Sequence, residues 1–140
     1  MNSLKETLEL LIPEVQEKTI LGLIGDLGFG KTTLVSELLG SFGLQMTSSP
    51  TFSLINPYRL ANGLKVYHVD LYRLKNFEEI EASGFWDLFA DEEAFFIIEW
   101  IDRLDFQELP FNFKKIILTI FLSKNDSSKD PVRSYQLNWL

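Results

Sequence analysis

The sequence predicts an α/β fold: one small P-loop NTPase-like domain over residues 1–140, with a mixed, mainly parallel central sheet and flanking helices. Three observations predict it. A short apolar run, Thr19 to Ile24, meets a glycine-rich loop, Gly25 to Thr32. An amphipathic helical pattern follows that loop at once. Further apolar segments of strand length come after it.

In chain order, Ser3 to Leu11 reads as a short helix, with Ser3 at the cap, Glu6 three residues on and Pro13 closing it. Thr19 to Ile24 suits a buried strand bounded by Gly25. Leu34, Val35, Leu38, Leu39 and Phe42 recur at helical spacing, and Gly43 stops that helix. Thr51 to Tyr58 and Leu64 to Leu71 are extended, and Asn62-Gly63 between them is a turn signal, so they form a hairpin. Alternation then puts Val66, His68, Asp70 and Tyr72 on one face. Phe77 to Phe89 is helical with an interruption at Gly84. Ala94 to Trp100 is a second buried strand. Lys115 to Leu122 and Arg133 to Trp139 are the last two strands, joined by the polar, mobile loop Ser123 to Pro131.

The chain's 140 residues are 46% hydrophobic and include twelve Phe. A domain of this length buries about two-thirds of its unfolded surface and needs no staple. The absence of cysteine excludes disulfides, a thiol nucleophile and cysteine-ligated metals. No apolar run approaches the ~20 residues of a membrane span. The start Met-Asn-Ser-Leu-Lys-Glu is unlike a secretion signal, so a cytoplasmic location is expected. Net charge is −7 and the pI is near 4.7. Affinity for phosphate backbones comes from Lys and Arg, so a nucleic acid would be held by a partner rather than by this chain.

The loop Gly25-Asp26-Leu27-Gly28-Phe29-Gly30-Lys31-Thr32 matches G-x-x-x-x-G-K-[ST] in full. Glycines let successive backbone N–H groups converge on phosphate oxygens, and the following helix adds the positive end of its dipole. Lys31 is expected on the β and γ phosphates and the Thr32 hydroxyl on magnesium. Nucleotide contacts are thus expected from Gly28, Phe29, Gly30, Lys31, Thr32 and Thr33. Phe29 is bulky for this loop; it packs over the nucleotide, onto a partner, or simply on the surface.

Phosphoryl transfer also needs an acid at the end of a neighbouring strand. Phe95-Phe96-Ile97-Ile98-Glu99 is four apolar residues ending in a carboxylate, the form of a Walker B strand, which makes Glu99 the second expected metal ligand. Asp70 is a rival metal or water-positioning group. His68, the only histidine, lies on the same face and is either structural or catalytic. Trp100 beside Glu99 belongs to the core or to the site. Glu78, Glu79 and Glu81 form a solvated face or a docking edge. A GTPase would carry N-K-x-D and D-x-x-G, which are missing. A small-molecule kinase would carry an arginine-rich lid, whereas Arg59, Arg73, Arg103 and Arg133 are scattered.

Five blocks occur in order: Gly25-Asp26-Leu27-Gly28 with Gly30-Lys31-Thr32-Thr33; Ser49-Pro50-Thr51-Phe52; His68-Val69-Asp70-Leu71-Tyr72-Arg73-Leu74; Gly84 with Asp87; and Ile98-Glu99-Trp100. Together they resemble the TsaE (YjeE) family of bacterial ATPases, from about Thr7 to Trp100 and more weakly beyond. The resemblance implies ATP as the nucleotide, magnesium as its metal and slow hydrolysis by the protein alone. It implies a role in threonylcarbamoyl modification of the tRNA adenosine beside the anticodon, acting on a TsaB–TsaD complex, with tRNA met only through those partners. By matching position it implies that Lys31 contacts phosphates, that Thr32 and Glu99 hold magnesium, and that Thr51 and Asp70 lie in switch-like segments near the γ-phosphate. Arg133 matches a late arginine near the nucleotide base. Phe29 departs from the small residue usual at its position, and the segment before the first strand, with Pro13, is short. The competing classes are a nucleotide-dependent binding module without a need for hydrolysis, and a small-molecule kinase.

Lys31→Ala is expected to abolish magnesium-ATP binding in calorimetry; unchanged affinity would overturn the phosphate-loop assignment.

Overall fold

The computed structural model describes residues 1–25, 30–45, 54–123 and 132–140. Six strands form one sheet: β1 (Thr19–Ile24), β2 (Ile55–Arg59), β3 (Lys65–Asp70), β4 (Ala94–Glu99), β5 (Lys114–Ser123) and β6 (Val132–Trp139). Their order is β2-β3-β4-β1-β5-β6. The four inner strands run parallel, and β2 and β6 are antiparallel edges. Inner parallel strands are covered on both faces and read as continuous apolar runs. Phe95, Phe96, Ile97 and Ile98 of β4 are all buried for that reason. Among the described residues, no helix is long and apolar enough to cross a membrane.

Helix α1 (Leu4–Leu11) starts as expected: Ser3 Oγ accepts from the Glu6 N–H, and Glu6 reaches back to the Ser3 N–H. Pro13 closes the α-helix as expected and sits in a following 3₁₀ turn, Ile12–Glu14, where its missing N–H costs nothing. Helix α2 (Lys31–Gly40) packs Leu34, Val35, Leu38 and Leu39 against Leu21, Leu23, Phe95 and Ile97 on one face of the sheet, and Leu11 and Val15 join that cluster. On the other face lie helix α3 (Phe77–Ala82) and the 3₁₀ segment Trp86–Ala90, with Gly84 between them at φ 83°. Here Phe89, Phe96 and Phe113 meet at ring distances of 4.9–5.7 Å, which accounts for part of the phenylalanine count.

Several expected boundaries differ. Tyr72 does not continue the face of β3, because the chain enters a 3₁₀ turn, Leu71–Arg73, capped by the Asp70 side chain on the Tyr72 N–H at 2.9 Å. A local carboxylate-to-backbone bond outcompetes one more ladder pair there. Strand β4 ends at Glu99 rather than Trp100, which adopts φ 62° and turns out of the sheet. The hairpin forms, with Gly63 at φ 91° in its turn, but β2 starts at Ile55. Residues 51–53, and 124–131 of the loop expected before β6, lie outside the described residues.

Gly22, in the middle of β1, is required by packing. A Cβ there would meet Ile101 Cδ1 at 2.4 Å and Cγ2 at 2.7 Å. Gly22→Ala is therefore expected to lower stability by about 1–3 kcal/mol, the usual cost of overpacking a core. Denaturant unfolding checks this, and a wild-type midpoint would contradict the close approach of Ile101 to β1.

Candidate functional site

The parallel strands β1, β4 and β3 end side by side, since Leu23 pairs with Glu99 and Glu99 with Asp70. Ligands of open α/β sheets bind beyond such carboxyl ends. Helix α2 begins at the same end, just past β1. Its cap residue, Gly30, has φ 93° and offers no side chain to the first-turn N–H groups, which are left pointing out of the helix. A helix N-terminus is a natural anion site. Lys31, Thr32 and Thr33 are its first three residues, Lys31 buried and both threonines exposed.

The Lys31 ammonium donates to the Gly25 carbonyl, so the side chain reaches from the start of α2 back to the end of β1. It also lies 4.3 Å from the centre of the Trp100 ring. The left-handed turn at Trp100 makes this possible, because it swings the indole out immediately after Glu99. The other contacts of that ring extend outward. Tyr72 packs on it at 5.0 Å, and the Arg103 guanidinium lies 5.7 Å from it and 5.5 Å from Tyr72. Arg103 is held by a bond to the Leu74 carbonyl.

Glu99 is only 5% exposed and His68 8%. Their contact, Glu99 Oε2 to His68 Nε2, is 2.5 Å. In the register His68 lies opposite Ile97, so Glu99 is two residues further along the same face of the neighbouring strand. That is the diagonal separation that long side chains span. Arg133 of β6 reaches the start of α2: a Cβ built on Gly30 would stand 3.1 Å from Arg133 Nε and 3.3 Å from Cζ.

Of the expected residues, the fold gathers Gly30, Lys31, Thr32 and Thr33 with Arg133 at the start of α2, and it sets Asp70 and Glu99 at adjoining strand ends beside Trp100. Gly28, Phe29 and Thr51 lie outside the described residues. The His68–Glu99 contact and the Tyr72–Trp100–Arg103 stack were not anticipated. The alternation of His68 and Asp70 and the position of Glu99 hinted at the first, but only the β3–β4 register brings them together.

Of the four arginines considered for a lid, Arg59 lies apart from the site. Arg59 binds the Gly63 carbonyl at the opposite end of the sheet. It lines a cleft of about 550 Å³ there with Leu64, Lys65, Asp91 and Glu93. Lys65 holds its proton above the ordinary lysine range, chiefly through a hydrogen bond with Tyr67 and then through Asp91. That cleft is remote from the helix N-terminus and shares no residue with it.

Comparison with known proteins identifies the family and the fold. The family model described as "Threonylcarbamoyl adenosine biosynthesis protein TsaE" matches residues 1–131. The chain belongs to the TsaE family. The match extends beyond Trp100 through much of the tail, where the sequence blocks thin out. Among the similar proteins, one from Haemophilus influenzae is 41% identical over 101 residues, covering 71% of this chain and 63% of its own. One from Borreliella burgdorferi is 38% identical over 78 residues, 56% of each chain. One from Rickettsia conorii is 41% identical over 105 residues, 71% of this chain and 58% of its own. Each is named tRNA threonylcarbamoyladenosine biosynthesis protein TsaE. The matched region thus spans about six-tenths of the length of these relatives. The crystal structure of YdiB from Bacillus subtilis has the same fold, with a TM-score of 0.61 at 24% identity, covering 90% of this chain and 76% of that one.

Proposed function

We propose that this protein binds ATP with magnesium at the N-terminus of α2 and hydrolyses it slowly by itself. Its role would be that of a cytoplasmic accessory ATPase in threonylcarbamoyl modification of tRNA adenosine next to the anticodon, acting on a TsaB–TsaD complex. The observation that carries the proposal is the placement of the Lys31 ammonium, within 4.3 Å of the Trp100 ring, beside the strand end that bears Glu99. A phosphate chain laid along the start of α2 meets the first-turn N–H groups, Lys31 and the Arg133 guanidinium together. Membership of the TsaE family supports the pathway. The net charge of −7 supports contact with tRNA only through partner proteins.

The metal donors fit magnesium. Thr32 supplies a hydroxyl and Glu99 a carboxylate, both hard oxygen ligands. Among the described residues no group of three or more His, Asp or Glu gathers around one point. An ion that takes one or two protein oxygens, and completes its shell with phosphates and water, suits such a sparse set. When bound, it would neutralise charge on the phosphates.

The chain's own residues then divide the work. Lys31, Arg133 and the helix N-terminus bind and orient the phosphates, and Trp100 screens Lys31 from water on one side. Asp70 and His68, the two candidates for handling a water proton, are both engaged: Asp70 Oδ1 accepts from the Tyr72 N–H, and His68 is bonded to Glu99. That engagement supports slow turnover without a partner. The same engagement favours the alternative of a nucleotide-dependent binding module, in which bound ATP organises the complex and hydrolysis is incidental.

Glu99→Ala is expected to depress magnesium-dependent turnover at least tenfold while leaving metal-free nucleotide binding near wild type. Equal loss of both would move the metal role elsewhere. The chain is further expected to associate with TsaB and TsaD homologues in pull-downs only when ATP is present. Failure to associate under every nucleotide condition would refute the pathway role, and association with no need for turnover would select the binding-module alternative.

A further inference from the structure

We infer that His68 is a positioning residue for the Glu99 carboxylate, fixing which oxygen of Glu99 is presented to the metal–nucleotide site. The inference rests on the proposal that Glu99 is a magnesium ligand, and goes beyond it by giving the chain's only histidine a task other than proton transfer.

Three features of the fold lead to it. The contact is short, 2.5 Å, and made by two side chains each at least nine-tenths buried. It joins the diagonal pair on neighbouring parallel strands, His68 on β3 and Glu99 on β4, so two rigid, hydrogen-bonded elements hold its ends. It binds one named oxygen, Oε2. An ionised carboxylate only accepts hydrogen bonds, so the proton in this contact belongs to Nε2 of His68. With Oε2 so engaged, Oε1 is the oxygen left to ligate. A glutamate has three side-chain torsions, and a ligand free to sample them binds a small octahedral ion poorly. Groups that hydrogen-bond a metal-ligating side chain typically contribute 10–100-fold to metal affinity. The neighbouring acid is held in a similar way, since Asp70 Oδ1 is anchored on the Tyr72 N–H. Both carboxylates at this sheet end are therefore oriented before any ligand arrives.

The test uses the full chain and a non-hydrolysable ATP analogue, with affinity measured by calorimetry in EDTA and across a magnesium titration. His68→Ala is expected to raise the magnesium concentration needed for half-maximal tightening by about tenfold, with the EDTA affinity unchanged. His68→Gln, which keeps a donor at a similar reach, should recover most of the loss. Combining His68→Ala with Glu99→Gln should be no worse than Glu99→Gln alone, as expected for two residues acting through one contact. As the only histidine, His68 also gives a single imidazole signal in long-range ¹H–¹⁵N spectra, expected to carry its proton on Nε2 and to shift in Glu99→Gln. Wild-type magnesium dependence in His68→Ala, alongside a loss in Glu99→Gln, would overturn the positioning role and leave the metal assignment standing. Parallel losses with and without magnesium, unrelieved by His68→Gln, would make the contact purely structural and overturn the inference. A Glu99→Gln variant with unaltered magnesium dependence would remove the metal assignment and this inference with it.

Discussion

The register of three parallel strands is the constraint on which the rest of the site depends. Glu99 is paired with Leu23 on one side and Asp70 on the other, so β1, β4 and β3 finish level. A one-residue slip would turn His68 and Glu99 to opposite faces of the sheet, because side chains alternate. Their contact would then be impossible. The apolar content of the strands enforces the register. Phe95 and Ile97 must face the α2 side, and Phe96 and Ile98 the aromatic cluster on the other, and each buried side chain of that size contributes about 1.5–3 kcal/mol.

A glycine and a strained tryptophan mark where this architecture is tightest. Gly22 allows Ile101 to lie directly on β1, which seats the segment following β4 against the central strand. Trp100, one residue earlier, accepts a left-handed backbone that costs about 1–2 kcal/mol for a residue with a side chain. The Trp100 N–H still bonds to the Leu23 carbonyl, so the turn is anchored on β1. The indole thereby reaches Lys31 on one side and Tyr72 and Arg103 on the other. Strain at this position is offset by packing and serves to place a ring beside a cation. The stack also joins Lys31 to Tyr72, which is substantially exposed.

Much of the fold was legible because local chemistry and tertiary structure agree. The Ser3–Glu6 capping box, the Asn62-Gly63 turn and the apolar run of β4 each formed as their residue types require. Where the expectation failed, a short-range polar contact had won: the Asp70 carboxylate capped the turn that removes Tyr72 from its strand. The end of β4 failed for a different reason. An apolar Trp continues a strand pattern in any sequence reading, and nothing in its identity announces a positive φ.

By itself the sequence determined the glycine-rich motif leading to Lys31, the carboxylate at the end of an apolar strand, the α/β class and the family resemblance. All of these depend on residue types at short, fixed spacings along the chain. The tertiary structure alone decided that His68 and Glu99, thirty-one residues apart, share a 2.5 Å contact, and that Arg133 lies over Gly30. It also decided that Trp100 covers Lys31. Those relations come from strand order and pairing register, which are settled by how the two apolar faces of the whole sheet are buried rather than by any local segment.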